Sequence, residues 1–203
     1  MNLKDTYNKI AEDWVKDHNN DTWWVAGTDY FLSQLPRGSK ILDVGCGGGI
    51  KTKYISEKGY KVLGIDFSEK MIEIAKRENP GVDFMTVDMF DIDTIQQSFD
   101  GIFAQASLLH IPKNKVLEVL EKMKDKLNAD GLLYVAVKDI KDNKIEEEVK
   151  VEDHYGYEYE RFFSYFSLGE LVEYFKKLNM DVVWSVDKDT LETPWVQVIG
   201  KKN

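Results

Sequence analysis

The sequence predicts a doubly wound α/β domain, in which helices cover both faces of a mainly parallel sheet. From Lys40 onward, short apolar runs alternate with amphipathic stretches, which is the pattern of strand–helix–strand units. One run, Leu132–Val137, is apolar on both of its faces, as a strand is when helices lie on both sides of the sheet. The 203 residues and the apolar content of 43% suit one domain with a buried core.

Each element has its own local signal. Two helical segments, Leu3–Lys16 and Thr22–Leu35, precede the first strand. Apolar or β-branched runs predict strands at Lys40–Val44, Lys61–Ile65, Val82–Val87, Phe99–Gln105 and Leu132–Val137. Amphipathic stretches predict the intervening helices at Ile50–Glu57 with Gly59 as its C-cap, after the N-cap Ser68, and at Lys113–Leu127.

The chain after the fifth strand departs from this alternation. A charged stretch, Lys138–Glu160, comes first, and a helix is predicted at Ser167–Lys177. Two β-rich segments, Asp181–Val186 and Trp195–Lys201, predict a closing antiparallel hairpin with its turn at residues 187–194. We expect the terminal strand to offer a sheet edge for pairing.

Composition narrows the function. The chain has 27 Lys and Arg against 36 Asp and Glu, and this net charge of −9 argues against binding to nucleic acid or an anionic membrane. No apolar run has the ~18–20 residues of a membrane helix. The single cysteine excludes an internal disulfide, and neither it nor the widely spaced histidines give a metal signature. We therefore expect a cytoplasmic protein without a metal.

The strongest local signal is a glycine-rich loop after the first strand, Asp43-Val-Gly-Cys-Gly-Gly-Gly49. Glycines are needed where the backbone turns tightly and passes close to a ligand. Asp66 ends the second strand and Asp88 follows the third, so the carboxylates meet at the strand ends where open α/β sheets bind ligands. There Asp66 can accept both hydroxyls of a ribose, and Asp88 can reach an adenine amino group.

A nicotinamide dinucleotide is the alternative ligand for such a loop. Its fingerprint, Gly-x-Gly-x-x-Gly, needs a glycine where this chain has Ile50. Asp43, two residues before the first glycine, suits a cationic ligand end better than a pyrophosphate. Both departures argue against NAD.

Several segments resemble the successive motifs of class I S-adenosylmethionine (SAM)-dependent methyltransferases. They are ILDVGCGGG at 41–49, GIDFS at 64–68, the aspartate of TVD at 86–88, and FDGIFAQASLLHIP at 99–112. YNKIAEDW at 7–14 and RFFSYFSLGEL at 161–171 are similar to the N-terminal and substrate-side segments of small methyltransferases. The resemblance is to the small-molecule type, of the methyltransferase-11/25 group.

The resemblance implies a Rossmann-like fold with a seven-stranded, mostly parallel sheet, an antiparallel terminal strand and helices on both faces. It implies a single methyltransferase domain over residues 1–203, with SAM as cofactor and S-adenosylhomocysteine (SAH) as product. The expected parts are an N-terminal helical lid (1–39), a cofactor-binding core (40–137), a substrate-side insertion (138–166), and a C-terminal helix with a β-hairpin (167–203).

The resemblance also assigns residues to the cofactor. Gly45 and Gly47 would let the backbone approach its methionine part, with Asp43 supporting the amino group, while Phe67 and Met71 would flank the adenine. The full set implied for cofactor binding is Tyr7, Trp14, Asp43, Gly45, Cys46, Gly47, Asp66, Phe67, Met71, Asp88, Met89 and Gln105.

The acceptor side is implied by the same motifs. His110 lies in the loop after the fourth strand, and an unperturbed imidazole pKa of ~6.5 suits a general base; alternatively the ring only shapes the pocket. The set implied for the acceptor is His110 with Trp23, Trp24, Tyr30, Tyr155, Arg161 and Tyr165. These aromatics can stack on a planar substrate or enclose a cationic amine, or they close a small lid core.

The acceptor class stays open at this stage. A small-molecule N, O or S acceptor is favoured over a tRNA wobble uridine because no Lys/Arg cluster is present. A non-catalytic SAM-binding or partner-activating module is a third reading. Residues 138–160 hold four Lys and nine acids; if this segment covers the site, it would repel polyphosphate and tolerate neutral or cationic acceptors. Alternatively it is a solvated loop. The oligomeric state is not predicted.

Overall fold

A computed structural model describes residues 2–140, 145–187 and 195–203. The strands are β1 (Lys40–Val44), β2 (Lys61–Asp66), β3 (Asp83–Thr86), β4 (Phe99–Gln105), β5 (Leu127–Lys138), β6 (Glu147–Glu152), β7 (Tyr159–Ser164), β8 (Met180–Val186) and β9 (Trp195–Lys202). The helices are α1 (Leu3–His18), α2 (Val25–Ser33), α3 (Ile50–Glu57), α4 (Glu69–Glu78), α5 (Lys113–Lys126) and α6 (Leu168–Lys177).

The main sheet has seven strands in the order β3-β2-β1-β4-β5-β9-β8. The pairs among β1 to β5 are parallel, whereas β9 runs antiparallel to both β5 and β8. The predicted doubly wound, mostly parallel sheet with an antiparallel terminal strand is therefore confirmed. The expectation that this strand offers an edge is wrong, because β9 lies between β5 and β8 and β8 takes the edge. The turn predicted between β8 and β9 falls mainly on 188–194, outside the described residues.

Helices cover both faces of this sheet, as predicted. On one face, Val116 of α5 and Phe175 of α6 pack in the same cluster as Leu42. On the opposite face, Phe31 of α2 packs with the neighbouring strand residue Ile41. Burying such a side chain fully is worth about 1.5–3 kcal/mol, so the alternation along β1 fixes which helices cover each side.

Helices α4 and α6 begin where the sequence predicts. Ser68 and Ser167 cap α4 and α6, each accepting a hydrogen bond from the backbone N–H three residues on. The helix predicted over Thr22–Leu35 is shorter than expected, since α2 is confined to Val25–Ser33. Across the described residues, no helix combines the length and the apolar character that crossing a membrane requires.

Part of the charged stretch, strand β6, pairs with β7 in an antiparallel hairpin, which the sequence pattern does not predict. In β6 the exposed side chains are Val149 and Val151, while Glu148, Lys150 and Glu152 are partly buried. This reversal of the usual alternation hides the strand from a hydrophobicity pattern.

The hairpin and α1 together cover the carboxyl ends of the sheet. Ile10 and Ala11 of α1 pack with Met71 and Ile74 of α4. On the other side of α1, the Lys9 ammonium donates to the Glu158 carbonyl over 2.9 Å. The helix is therefore held between α4 and the hairpin.

Candidate functional site

A cavity of about 850 Å³ lies beneath α1 and the hairpin, at the carboxyl ends of β1, β2 and β4. It contains every residue that the motifs assign to the cofactor except Asp43: Tyr7, Trp14, Gly45, Cys46, Gly47, Asp66, Phe67, Met71, Asp88, Met89 and Gln105. Its size falls within the range of small-molecule sites. The tertiary fold therefore gathers residues separated by as many as 98 positions, from Tyr7 to Gln105, into one cavity.

The glycine loop lines this cavity in a conformation that glycine favours. Gly45 has a φ of 75°, and a Cβ at this position would lie 2.4 Å from the Cβ of Ser107. The N–H groups of Gly45 and Cys46 donate to the Ile65 carbonyl over 2.8 and 2.9 Å. The loop is thereby pinned to the end of β2, with its backbone against the cavity.

Asp66 links the loop to the helix that follows β2. Its carboxylate accepts hydrogen bonds from the N–H of Gly47 at 3.0 Å and from the N–H of Ser68 at 2.9 Å. Burial raises the pKa of Asp66 to about 6, against the lowering effect of these two bonds. A ligand that offers hydroxyl donors would favour the charged form.

Asp88 lies at the next strand end, where it caps a short 3₁₀ turn. Its carboxylate accepts from the N–H of Phe90 over 3.0 Å and also lines the cavity. The two carboxylates predicted for a ribose and an adenine therefore lie at the same end of the cavity.

Asp43 lies below the cavity rather than on its wall. Its buried carboxylate accepts a hydrogen bond from the Thr52 hydroxyl over 2.7 Å, and burial raises its pKa to about 6. The cation above it is Lys51, which lines the cavity and which the motifs do not single out. Burial lowers the pKa of Lys51 to about 8, although Asp43 and Asp21 favour its charged form. Asp43 thus acts on the cavity through its electrostatic attraction to Lys51.

Unpartnered polar atoms line the cavity beside the end of β4. The Gln105 amide donates to the Tyr134 hydroxyl over 3.0 Å, and that hydroxyl donates to Gln197 over 2.7 Å, which fixes the orientation of the amide. The amide oxygen of Gln105 and the hydroxyl of Ser107 are buried without a hydrogen-bond partner among the described residues, as is the indole N–H of Trp14. Buried polar atoms of this kind are expected to meet a ligand or water.

His110 is held by both ring nitrogens. Nδ1 lies 2.8 Å from the Phe162 carbonyl, which can only accept, so Nδ1 carries the proton. Nε2 then accepts from the Tyr7 hydroxyl over 2.7 Å. Burial lowers the pKa of His110 to about 3 and raises that of Tyr7 to about 12. The ring is therefore neutral, and its free lone pair is occupied by Tyr7.

The residues assigned to the acceptor divide into two groups. Trp23, Trp24, His110 and Arg161 line the cavity. The other three face elsewhere: Tyr30 stacks on Trp184, Tyr155 stacks on Tyr159, and the Tyr165 hydroxyl donates to Glu148 over 2.6 Å. Aromatic content alone cannot separate these groups, because both suit a partly buried lid.

Two further features bear on chemistry. Burial raises the pKa of the Cys46 thiol well above its usual range, although its place near a helix N-terminus suggests a lowered value. No group of three or more His, Cys, Asp or Glu in the described part of the chain is arranged to hold a metal ion.

The strand order, the glycine loop after β1 and the carboxylate after β2 define the Rossmann-like methyltransferase class of fold. Residues 41–131 match a family model described as a methyltransferase domain. The resemblance of the chain to the class I SAM-dependent methyltransferases is therefore confirmed.

Individual relatives agree with this family. A ubiquinone biosynthesis O-methyltransferase of Actinobacillus pleuropneumoniae is 33% identical over 106 residues, which are 48% of this chain and 44% of that protein. The chain spans about half the length of the relatives that it matches.

Solved structures share the fold over nearly the whole chain. Burkholderia thailandensis 1,6-didemethyltoxoflavin-N1-methyltransferase, with bound 1,6-didemethyltoxoflavin and SAH, has a TM-score of 0.77 at 18% identity, covering 98% of this chain and 87% of that one. Magnesium protoporphyrin IX methyltransferase of Synechocystis PCC 6803, with bound SAM, has a TM-score of 0.76 at 13% identity, covering 100% and 98%.

Proposed function

We propose that the protein binds SAM in this cavity and transfers its methyl group to a small-molecule N, O or S acceptor. One observation above all supports the proposal: at one wall of the cavity, the Asp66 carboxylate accepts a hydrogen bond from the Gly47 N–H of the glycine loop. The family match over residues 41–131 supports the same activity. The relatives named above act on small molecules, which supports an acceptor of that size.

The cavity fits this cofactor by its own chemistry. In the proposal, Asp66 accepts the ribose hydroxyls and Asp88 the adenine amino group, while Phe67 and Met71 flank the base. The methionine part lies along Gly45 and Gly47, where side chains would intrude. Lys51 lies at this end of the cavity and can pair with the methionine carboxylate, a role for which a partly desolvated ammonium is suited.

The chemistry then rests mainly on orientation. When bound, SAM supplies an electrophilic methyl carbon: a lone pair of the acceptor forms the new bond to this carbon while the carbon–sulfur bond breaks and its electron pair stays on sulfur. Aligning two reactants in this way can contribute roughly 7–11 kcal/mol to lowering the barrier. The amide oxygen of Gln105 and the Ser107 hydroxyl are placed to hold an acceptor group, and α1 with the hairpin excludes water.

His110 has a restricted part in this proposal. To accept a proton from the acceptor, its Nε2 must first release the Tyr7 hydroxyl. A buried imidazole with a pKa of about 3 is also a weak base near neutral pH. We therefore propose that His110 chiefly positions Tyr7 over the cavity.

Binding of SAH tests the proposed cofactor directly. At 100 times its Kd, a ligand adds ~2.7 kcal/mol to the free energy of unfolding, which is about 5–10 °C in Tm for a chain of this length. We expect differential scanning fluorimetry to detect this rise with SAH or SAM, but not with NAD or NADP. No rise with SAH would contradict the proposal, and SAH binding without turnover on any acceptor would favour a non-catalytic module.

Affinity for SAH should also depend on pH. Because burial raises the pKa of Asp66 to about 6, this carboxyl is protonated in the unliganded protein at pH 5 and must lose its proton to accept two hydroxyls. We expect Kd for SAH, measured by calorimetry, to rise up to about tenfold per pH unit below pH 6.

The raised pKa of Asp66 has the opposite effect on the stability of the unliganded protein, which increases rather than decreases at lower pH. A carboxyl with a raised folded pKa binds its proton more tightly in the native state, so its contribution to stability increases as pH falls from 6 toward 4.

A variant and a contrary outcome test the predicted pH dependence of SAH affinity. Asp66→Asn should flatten the pH dependence of the Kd for SAH. A Kd that stays constant from pH 7.5 to 5 would rule out the ionisation of Asp66 as its cause.

A further inference from the structure

The chain leaves β4 at the cavity through a strained turn. Ala106 has a φ of 60°, in the left-handed region that a non-glycine residue rarely adopts. Its backbone N–H donates to the Ala136 carbonyl over 2.9 Å, so the turn is held against β5. The residues on either side, Gln105 and Ser107, are 2% and 4% exposed, and both line the cavity. A backbone conformation of this kind persists where the surrounding structure holds it, and it is found mainly at functional sites.

The amide of Gln105 is held in one orientation from behind. Its nitrogen donates to the hydroxyl of the buried Tyr134 over 3.0 Å, and that hydroxyl donates in turn to Gln197 over 2.7 Å. A Cβ on Gly27 would lie 2.3 Å from the Gln197 Oε1 and 2.6 Å from the Tyr134 hydroxyl, so α2 packs closely behind both groups. The amide oxygen of Gln105 leaves the amide carbon in another direction, and it has no hydrogen-bond partner in the described part of the chain.

These contacts turn the Gln105 amide away from the proposed cofactor. In the sheet order, Tyr134 on β5 lies on one side of β4, whereas the glycine loop after β1 and Asp66 at the end of β2 lie on the other. Ser107 lies at the boundary, since a Cβ on Gly45 would be 2.4 Å from the Cβ of Ser107. Gln105 is therefore on the acceptor side of the place where the methionine part of the cofactor would end.

The amide oxygen of Gln105 can only accept a hydrogen bond, and a buried acceptor without a donor is costly. We propose that the methyl acceptor presents a protic nitrogen or oxygen, an N–H or O–H, to the Gln105 Oε1, and that Gln105 selects acceptors by this bond. The proposal rests on the methyltransferase function proposed above and narrows its N, O or S acceptor. A tertiary amine, a thioether or a carboxylate has no hydrogen to donate there, and a thiol is a weak donor.

The same hydrogen bond assists the transfer. As a lone pair of the acceptor nitrogen or oxygen forms the new bond to the methyl carbon, the carbon–sulfur electron pair goes to sulfur, and positive charge develops on the attacking atom. Its N–H or O–H then becomes a stronger donor to Gln105, so this bond is tighter in the transition state than in the ground state. The hydrogen stays on the acceptor during the transfer and is lost to water from the methylated cation, so Gln105 takes no proton.

Three bicyclic probes of one shape test this selection: indole donates an N–H, benzofuran has no donor, and benzoxazole only accepts. Their flat rings suit a cavity that aromatic side chains such as Trp24 and Phe163 line. Each probe is titrated by calorimetry into the full chain saturated with SAH. We expect indole to bind about tenfold more tightly than either of the others, as a hydrogen bond to a buried oxygen predicts. Gln105→Met should abolish this preference.

Two tyrosine variants separate the orientation of the amide from packing. Tyr134→Phe frees the Gln105 amide to turn its nitrogen to the cavity, so the preference for indole should fall and benzoxazole should gain affinity. Tyr60→Phe is the matched control and should keep the preference for indole. Tyr60 is buried in the same cluster as Tyr134, but its hydroxyl donates to the Leu32 carbonyl over 2.6 Å and it does not line the cavity. A change that only loosened the fold would weaken all three probes alike.

Several results would overturn the proposal: equal or undetectable binding of indole and benzofuran, tighter binding of benzoxazole, or a preference for indole that survives in Gln105→Met. A loss of SAH affinity in Gln105→Met would also overturn it, because the oxygen would then belong to the cofactor. SAH is titrated first, which keeps the two levels of inference apart. Failure of the wild-type protein to bind SAH counts against the methyltransferase function, whereas SAH binding without a preference for indole counts against the acceptor class alone.

Discussion

Replacing Asp66 with alanine is expected to weaken SAH binding by about two to four orders of magnitude. Two hydroxyl donors to one carboxylate are charge-assisted hydrogen bonds, each worth about 1.5–3 kcal/mol when an ionised group takes part. The variant also leaves the N–H groups of Gly47 and Ser68 without the acceptor that now holds them, so the loop that borders the cavity loosens. Both effects reduce affinity for the same ligand.

Calorimetric titration with SAH measures this loss, and two variants make it interpretable. Asp66→Asn keeps one of the two oxygens that accept from the backbone and carries no charge, so we expect it to bind SAH with intermediate affinity. Asp125→Asn, on the exposed side of α5, removes a carboxylate away from the cavity and should leave the Kd unchanged. Wild-type affinity in Asp66→Ala would contradict the role given to this carboxylate.

Gly45→Ala is expected to destabilise the fold by roughly 2–5 kcal/mol and to impair SAH binding with it. A left-handed φ costs a non-glycine residue about 1–2 kcal/mol, and overpacking adds about 1–3 kcal/mol. Both apply here, since Gly45 has a φ of 75° and the new Cβ would lie 2.4 Å from the Cβ of Ser107. The Gly45 backbone cannot shift freely, because its N–H donates to the Ile65 carbonyl at the end of β2.

Urea unfolding of the unliganded protein measures this change, and Gly38→Ala separates its two causes. Gly38 has a φ of 83° but no atom within 4 Å of the added Cβ, so only the backbone term applies there. Ser107→Gly in the Gly45→Ala background should recover part of the loss by removing the clashing Cβ. Equal costs at Gly38 and Gly45 would show that crowding against Ser107 is not responsible.

Much of the fold could be predicted from the local sequence pattern. The strand Phe99–Gln105 and the helix Ile50–Glu57 have the predicted bounds, because the strand is a clear apolar run and the helix lies between Gly49 and Gly59. The hairpin of β6 and β7 was not accessible. Its exposed face carries Val149 and Val151, while the charged side chain of Glu152 turns inward to Arg161 on the facing strand.

In the candidate site too, some residues could be predicted from the sequence and others could not. The carboxylate of Asp66 follows a strand directly, so its position was set by a short motif. Lys51 and Lys138 carried no comparable signal, because a lysine in a helix or at a strand end is usually solvated. Only packing against Trp23 and Phe163 brings their charges to the cavity.

The doubly wound sheet, the glycine loop and the carboxylates at the strand ends follow from the sequence alone, since each depends on residues that are close together in the chain. The tertiary structure decided which way the charges face: Glu148 and Glu152 turn to Tyr165 and Arg161, and Lys138 turns to the cavity. The net charge adds up the charges of the side chains without regard to the direction in which each side chain points. The sign of the field inside a cavity depends on those directions, because an acid paired with a buried cation contributes little beyond its own pair.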